Sequence, residues 1–115
     1  MHNLQTNFRL AYRAAEDQVA AAGDARFAVL ATRGSLTVEL YQPQKLDHQQ
    51  PHDRDECYVI TEGTGIFQMG NETVPFLPGD FLFVAAGVPH RFVDFGDRIT
   101  CWVIFYGPQG GEAGT

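Results

Sequence analysis

Three side chains able to bind a divalent metal, His48, His52 and Glu56, fall within nine residues of the polar stretch DHQQPHDRDECYVITEG, Asp47 to Gly63. Another, His90, arrives later in GDFLFVAAGVPH, where a Gly-rich turn between two apolar runs lets a second strand return beside the first. Divalent transition metals favour imidazole nitrogen and carboxylate oxygen, so the chemistry these residues point to is metal binding. Along one extended strand, His52 and Glu56 would hold their α-carbons about 13 Å apart, too far for a shared ion. A bend at Asp53-Arg54-Asp55 would let them face each other instead.

Such a site needs a rigid frame, and the chain has the pattern of one. Residues 8–22, FRLAYRAAEDQVAAA, are rich in helix formers, with Phe8, Tyr12, Ala15 and Val19 on one stripe. Asn7 is placed to cap this helix and Gly23 to end it. Its expected duty is to cover an edge or a face of a sheet. From Arg26 the hydrophobic period becomes two. RFAVLAT, LTVELY, ECYVIT, IFQMG, TVPFL, FLFVA, HRFVDF and RITCWVIFY read as short strands separated by turn residues, with no helical pattern between them. That predicts a β-sandwich or barrel and argues against a parallel α/β sheet. The Gly-rich end, GPQGGEAGT, has no apolar anchor and is expected to be loose.

Bulk properties narrow the field. A chain of 115 residues forms one domain with one core. No apolar run approaches the ~20 residues of a membrane-crossing helix, and the first residues do not resemble a secretory signal, so the cytoplasm is expected. Eight basic against fourteen acidic side chains give a net charge of −6 without a basic cluster, which disfavours nucleic acid as a partner. Cys57 and Cys101 form no CxxC and read as reduced, buried and small.

The metal-binding stretch resembles the first motif of the cupin superfamily, G(X)5HXH(X)3–4E(X)6G, through His52, Glu56 and Gly63. The second motif, G(X)5PXG(X)2H(X)3N, is matched by Gly79, Gly87 and His90 at the same spacings. Gln44, Gln50, Ala85 and Asp94 stand where those motifs have Gly, His, Pro and Asn. The resemblance implies an all-β, cupin-type jelly-roll β-barrel over residues 26–107, with an N-terminal helical extension over 1–25 and a flexible tail over 108–115.

By position, the resemblance assigns His52, Glu56 and His90 as metal ligands. The fourth place falls to Gln50, a weaker neutral donor, or to His48 if Gln49-Gln50-Pro51 bends the chain. Two histidines and one carboxylate leave open positions, the arrangement associated with non-haem Fe(II), with Mn, Ni and Zn as further candidate ions. Asp47, Asp94 and Tyr58 are candidates to orient a ligand. With Glu56 pointing inward, alternation brings Tyr58 inward, and His90 brings Phe92. Together with Phe83, Trp102 or Ile104, and Val38 or Leu40, they are expected to line an apolar pocket for a small molecule. The implied function is a metal-dependent enzyme of dioxygenase, isomerase or lyase type, with Glu56 as the base. The alternative is a non-catalytic small-molecule or metal-binding module. Cupins commonly pair, so a homodimer is expected.

Overall fold

A computed structural model describes residues 7–47 and 51–113 of the chain. One helix, α1 (Tyr12–Ala21), is followed by a single 3-10 turn (Gly23–Ala25) and eight strands. These are β1 (Phe27–Arg33), β2 (Leu36–Tyr41), β3 (Asp55–Glu62), β4 (Gly65–Met69), β5 (Glu72–Phe76), β6 (Phe81–Val84), β7 (His90–Val93) and β8 (Thr100–Tyr106). All eight patterns read as strands in the sequence are strands in the fold.

The strands form two antiparallel sheets, one ordered β1-β2-β8-β3-β6 and the other β5-β4-β7. Side chains from both inner faces meet in one core. Tyr58 and Ile60 of β3, Phe67 of β4, Phe92 of β7 and Cys101 and Val103 of β8 are all buried there. Tyr58, Phe67, Phe76 and Phe92 pack as a cluster of rings with centroids 4.6 to 5.4 Å apart, mostly edge to face, the geometry their quadrupoles favour.

Helix α1 starts four residues later than its composition suggests. Ala11 is extended and no side chain caps the first turn, so Asn7 has no capping role. Ten residues make a marginal helix by themselves, and packing decides where this one forms. Ala15 and Val19 are buried against Leu40, with Ala28, Leu30 and Trp102 around them. The Tyr12 ring meets Trp102 edge-on at 5.9 Å, and its hydroxyl bonds the Thr61 hydroxyl at 2.8 Å. Gly23 ends the helix in the left-handed conformation, as read.

The helix thus covers the face of β1, β2 and β8 that carries Ala28, Leu30, Leu40 and Trp102, so an apolar face is turned away from the cavity while Glu39 and Tyr41 are turned toward it. Period-two alternation cannot say which of the two faces is turned to the cavity, and several expectations fail for that reason. Leu40 and Trp102, paired across β2 and β8, both point at the helix.

Residues 109–112, within the stretch expected to be loose, make polar bonds to the rest of the fold. The Gly110 amide donates to Asp53 O at 2.6 Å, the Glu112 amide to Asp55 Oδ2 at 2.9 Å, and the Gln109 amide group to Asp53 Oδ2 at 2.7 Å. Residues 109–112 are held by polar bonds to the start of β3, so no apolar anchor is needed.

Candidate metal centre

Asp53 and Arg54 bend the chain as expected, placing His52 before β3 and Glu56 as the second residue within it. Two hydrogen bonds, one to a backbone carbonyl and one to a side-chain carboxylate, bring the second motif alongside. The Gly87 amide donates to His52 O at 2.6 Å, from a turn in which Gly87 has a φ of +80°. Asp55 Oδ1 accepts the Ala86 amide at 3.0 Å. Asp55 is therefore a buried clamp between β3 and the turn before His90, where the sequence suggests only a solvated bend. At the far end of β3, Gly63 has a φ of +93°, and a Cβ there would lie 2.5 Å from Ile99 Cγ2. Only glycine fits that close approach.

His52, Glu56 and His90 converge so that one ligand atom from each lies within 4.8 Å of the others. His90 Nε2 is 3.1 Å from Glu56 Oε1, and His52 Nε2 is 4.0 Å from Glu56 Oε2. The Glu56 and His90 side chains are 1% exposed, whereas that of His52 is 36% exposed at the mouth. His90 Nδ1 lies 2.8 Å from Val88 O. A carbonyl can only accept, so Nδ1 carries the hydrogen and the neutral ring presents its Nε2 lone pair to Glu56.

Both Glu56 oxygens and His90 Nε2 are buried without a hydrogen-bond partner among the described residues. Acceptors facing one another in a buried site call for a positive charge between them. A proton or a divalent ion can supply it. Burial alone would lower the affinity of His90 for a proton, but Glu56 and the Val88 carbonyl outweigh it and raise the pKa above the usual histidine value. The donor set, the burial and the convergence all fit a divalent metal ion.

A cavity of about 230 Å³ opens beside these residues. His52 and Glu56 form one end, Val103, Phe105, Tyr41 and Phe27 the walls, and Glu39 a second acidic position. The pocket residues expected from alternation are distributed differently. Tyr58 and Phe92 are inside the barrel, in the closed aromatic core beneath His90, with the Tyr58 and His90 ring centroids 6.1 Å apart. Phe83 is 45% exposed and pairs with Cys57 on the outer face, so it cannot line the cavity. Trp102 is under α1, as is Leu40. His48 and Gln50 lie outside the described residues.

The cavity walls that sequence reading missed come from the faces set aside as outward. Glu39 and Tyr41 alternate with Leu40, and Phe105 faces Glu56 across the β3–β8 pair. A signal existed in that pairing logic, because residues directly opposite in a ladder share a face. It becomes usable only once the strand order is known.

Burial, and secondarily the Glu56 charge, push the Glu39 carboxyl up to about 7. The Tyr41 hydroxyl is raised well above its ordinary range, first by burial and then by Asp47, to whose Oδ1 it donates at 2.5 Å. Asp47 Oδ2 accepts the Phe92 amide at 2.8 Å. Asp47 thereby joins the pocket wall to the strand carrying His90. Asp94 has a φ of +52°, a conformation that Asn and Asp tolerate alike, which accounts for its standing at a motif Asn position. Cys57 and Cys101 are free thiols, and burial raises the pKa of both, so neither is an activated nucleophile.

An eight-stranded double sheet enclosing two histidines and a glutamate defines a small β-barrel protein with a candidate metal centre. The cupin-domain family model matches residues 37–106, and the chain belongs to that family. An uncharacterised protein of Streptomyces coelicolor is 31% identical over 91 residues, covering 77% of this chain and 87% of its own. Among solved structures, a cupin superfamily protein of Desulfitobacterium hafniense superposes with a TM-score of 0.62 at 18% identity, covering 71% of this chain and 76% of that one. A structure from a study of DMSP lyases gives 0.64 at 24% identity over 72% of this chain, which spans only 47% of that protein. At these identities the two structural likenesses speak for the fold.

Proposed function

We propose that this cupin is a metal-dependent enzyme acting on a small organic molecule held in the cavity beside His52, Glu56 and His90. The observation that carries the reading is the set of buried, unpartnered atoms on Glu56 and His90 beside an open space. His52, Glu56 and His90 would hold a divalent ion of the Fe, Mn, Ni or Zn class. Bound there, it would supply Lewis-acid polarisation of a substrate oxygen.

The remaining work falls to the chain's own residues. Val88 fixes the His90 tautomer, and Phe105 fixes His52 edge-on at 4.9 Å. The aromatic core beneath His90 excludes water from that side. Glu56 turns one oxygen toward each histidine, so a carboxylate engaged through one oxygen keeps the other to accept a substrate proton. Isomerase and lyase chemistry use such a base beside a polarised oxygen.

Elemental analysis of protein purified without an affinity tag tests the reading. We expect about one transition metal per chain, lost in His52→Ala and His90→Ala variants that remain folded. Protein without metal that also fails to take up Fe(II), Mn(II), Ni(II) or Zn(II) would overturn it. Stoichiometric metal and ligand affinity without turnover of any small-molecule class would favour a binding module.

The same reading includes a cytoplasmic homodimer. No described helix is long and apolar enough to cross a membrane. Leu77, Phe81 and Phe83 expose apolar surface at edge strand β6, with Phe81 62% exposed, and a second copy would cover it. Light scattering of the protein and of Phe81→Glu tests this, a monomer in both excluding it.

A further inference from the structure

We infer that the cavity selects a small organic cation, with Glu39 receiving an ammonium or similar head while an oxygen of the same molecule reaches the His52–Glu56–His90 end. Only the oxygen-binding half rests on the metal-centre reading. The cation half stands on Glu39 and the walls.

Glu39 lies opposite Val103 in the β2–β8 ladder, and Glu56 opposite Phe105 in the β8–β3 ladder. Two strand spacings and a two-residue offset separate their α-carbons by roughly 12 Å, and both side chains line the same cavity. No hydrogen bond or ion pair engages the Glu39 carboxylate among the described residues, although it is mostly shielded from solvent. A half-buried carboxylate without a partner is costly, and a bound cation would remove that cost. Glu56, whose buried oxygens have no partner among the described residues, lines the same cavity.

The walls agree with that charge. Phe27 and Tyr41 add aromatic rings to the wall, and such rings attract cations. None of the described lining residues is Lys or Arg. The neighbouring basic groups are engaged elsewhere: Arg26 donates to Gln42, and Arg54 to Ser35 O and Thr37 Oγ1 while lying 5.8 Å over the Phe105 ring. An anionic head would meet Glu39 without a basic partner, and the net charge of −6 steers cations rather than anions toward the protein.

Three probes of nearly one shape test this by titration calorimetry on the full chain, both loaded with Ni(II) and after chelation. They are choline, its neutral isostere 3,3-dimethylbutan-1-ol, and 3,3-dimethylbutanoate. Choline should bind about ten-fold or more tighter than the neutral alcohol. Glu39→Gln should bring the two within about two-fold at unchanged metal content, and Glu39→Asp, which keeps the charge, should retain part of the preference. Equal binding of choline and the alcohol, preference for the anion, no binding by any probe at millimolar concentration, or a preference surviving in Glu39→Gln would each overturn the inference. The two readings separate cleanly. Choline preference in chelated protein upholds the cation site even if no metal binds, and stoichiometric metal without that preference defeats the cation site alone.

Discussion

His90 Nε2 stands 3.1 Å from Glu56 Oε1 while the other ring nitrogen donates to Val88 O, so two acceptors confront each other in a buried site. Breaking one side of such a pair leaves the other uncompensated. Glu56→Gln removes the charge but keeps the shape, and its amide can donate to His90 Nε2. We expect this variant to lose metal, measured by elemental analysis, while its metal-free thermal midpoint equals or exceeds that of the wild type.

The pH dependence of the metal-free protein follows from two groups. His90 has a raised folded pKa, so its contribution is complete below the ordinary histidine value of 6.5 and is lost as pH rises through the folded value. Glu39 is raised from 4.5 to about 7, so its penalty is absent below 4.5, grows across that interval and is complete above 7. Both signs agree. Denaturant unfolding of chelated protein should show stability falling from pH 5 toward pH 8, the Glu39 part reaching at most about 3 kcal/mol. Glu39→Gln should flatten the lower half of that fall, and an unchanged slope would refute the assignment.

Metal should reverse this trend. Its ligands bind without protons, so added Ni(II) or Zn(II) should raise the thermal midpoint more at pH 8 than at pH 6. His90→Ala should abolish the metal-dependent increment at both values.

Asp47 accepts from both the Tyr41 hydroxyl and the Phe92 amide. Asp47→Ala strands a buried backbone donor and should cost about 2–4 kcal/mol in urea unfolding. Tyr41→Phe, which leaves the Phe92 bond in place, should cost less. Additivity of the two losses in the double variant would show that the network is not coupled.

Trp102 is the sole tryptophan and packs under α1 against Tyr12. Val19→Ala should destabilise the protein by about 1–3 kcal/mol, since Val19 is fully buried against Leu40. Tyr12→Ala should shift tryptophan emission to the red by admitting water. Emission unchanged from wild type would mean that the helix does not shield the ring.

The eight strands were legible because turn residues and period-two patterns are local properties of the chain. His52, Glu56 and His90 were legible because their spacing matches the two cupin motifs, which imply a bend and a return strand that bring them together. The start of α1 was not, since helix formers extend to Phe8 but packing on Leu40 and Trp102 begins at Tyr12. Nor was Asp55, whose position in a polar turn gives no hint that it clamps both the turn before His90 and the residues around Glu112.

Local chemistry in the sequence therefore determined the strands, the three converging candidate ligands and the acidic character of the protein. Tertiary structure alone decided which face of each strand became the cavity. Alternation divides a strand into two faces without labelling them, and α1 buries the face carrying Leu40 and Trp102 away from the cavity. Only the order β1-β2-β8-β3-β6 aligns Glu39, Tyr41 and Phe105 with Glu56 while turning Phe83 and Trp102 away from it.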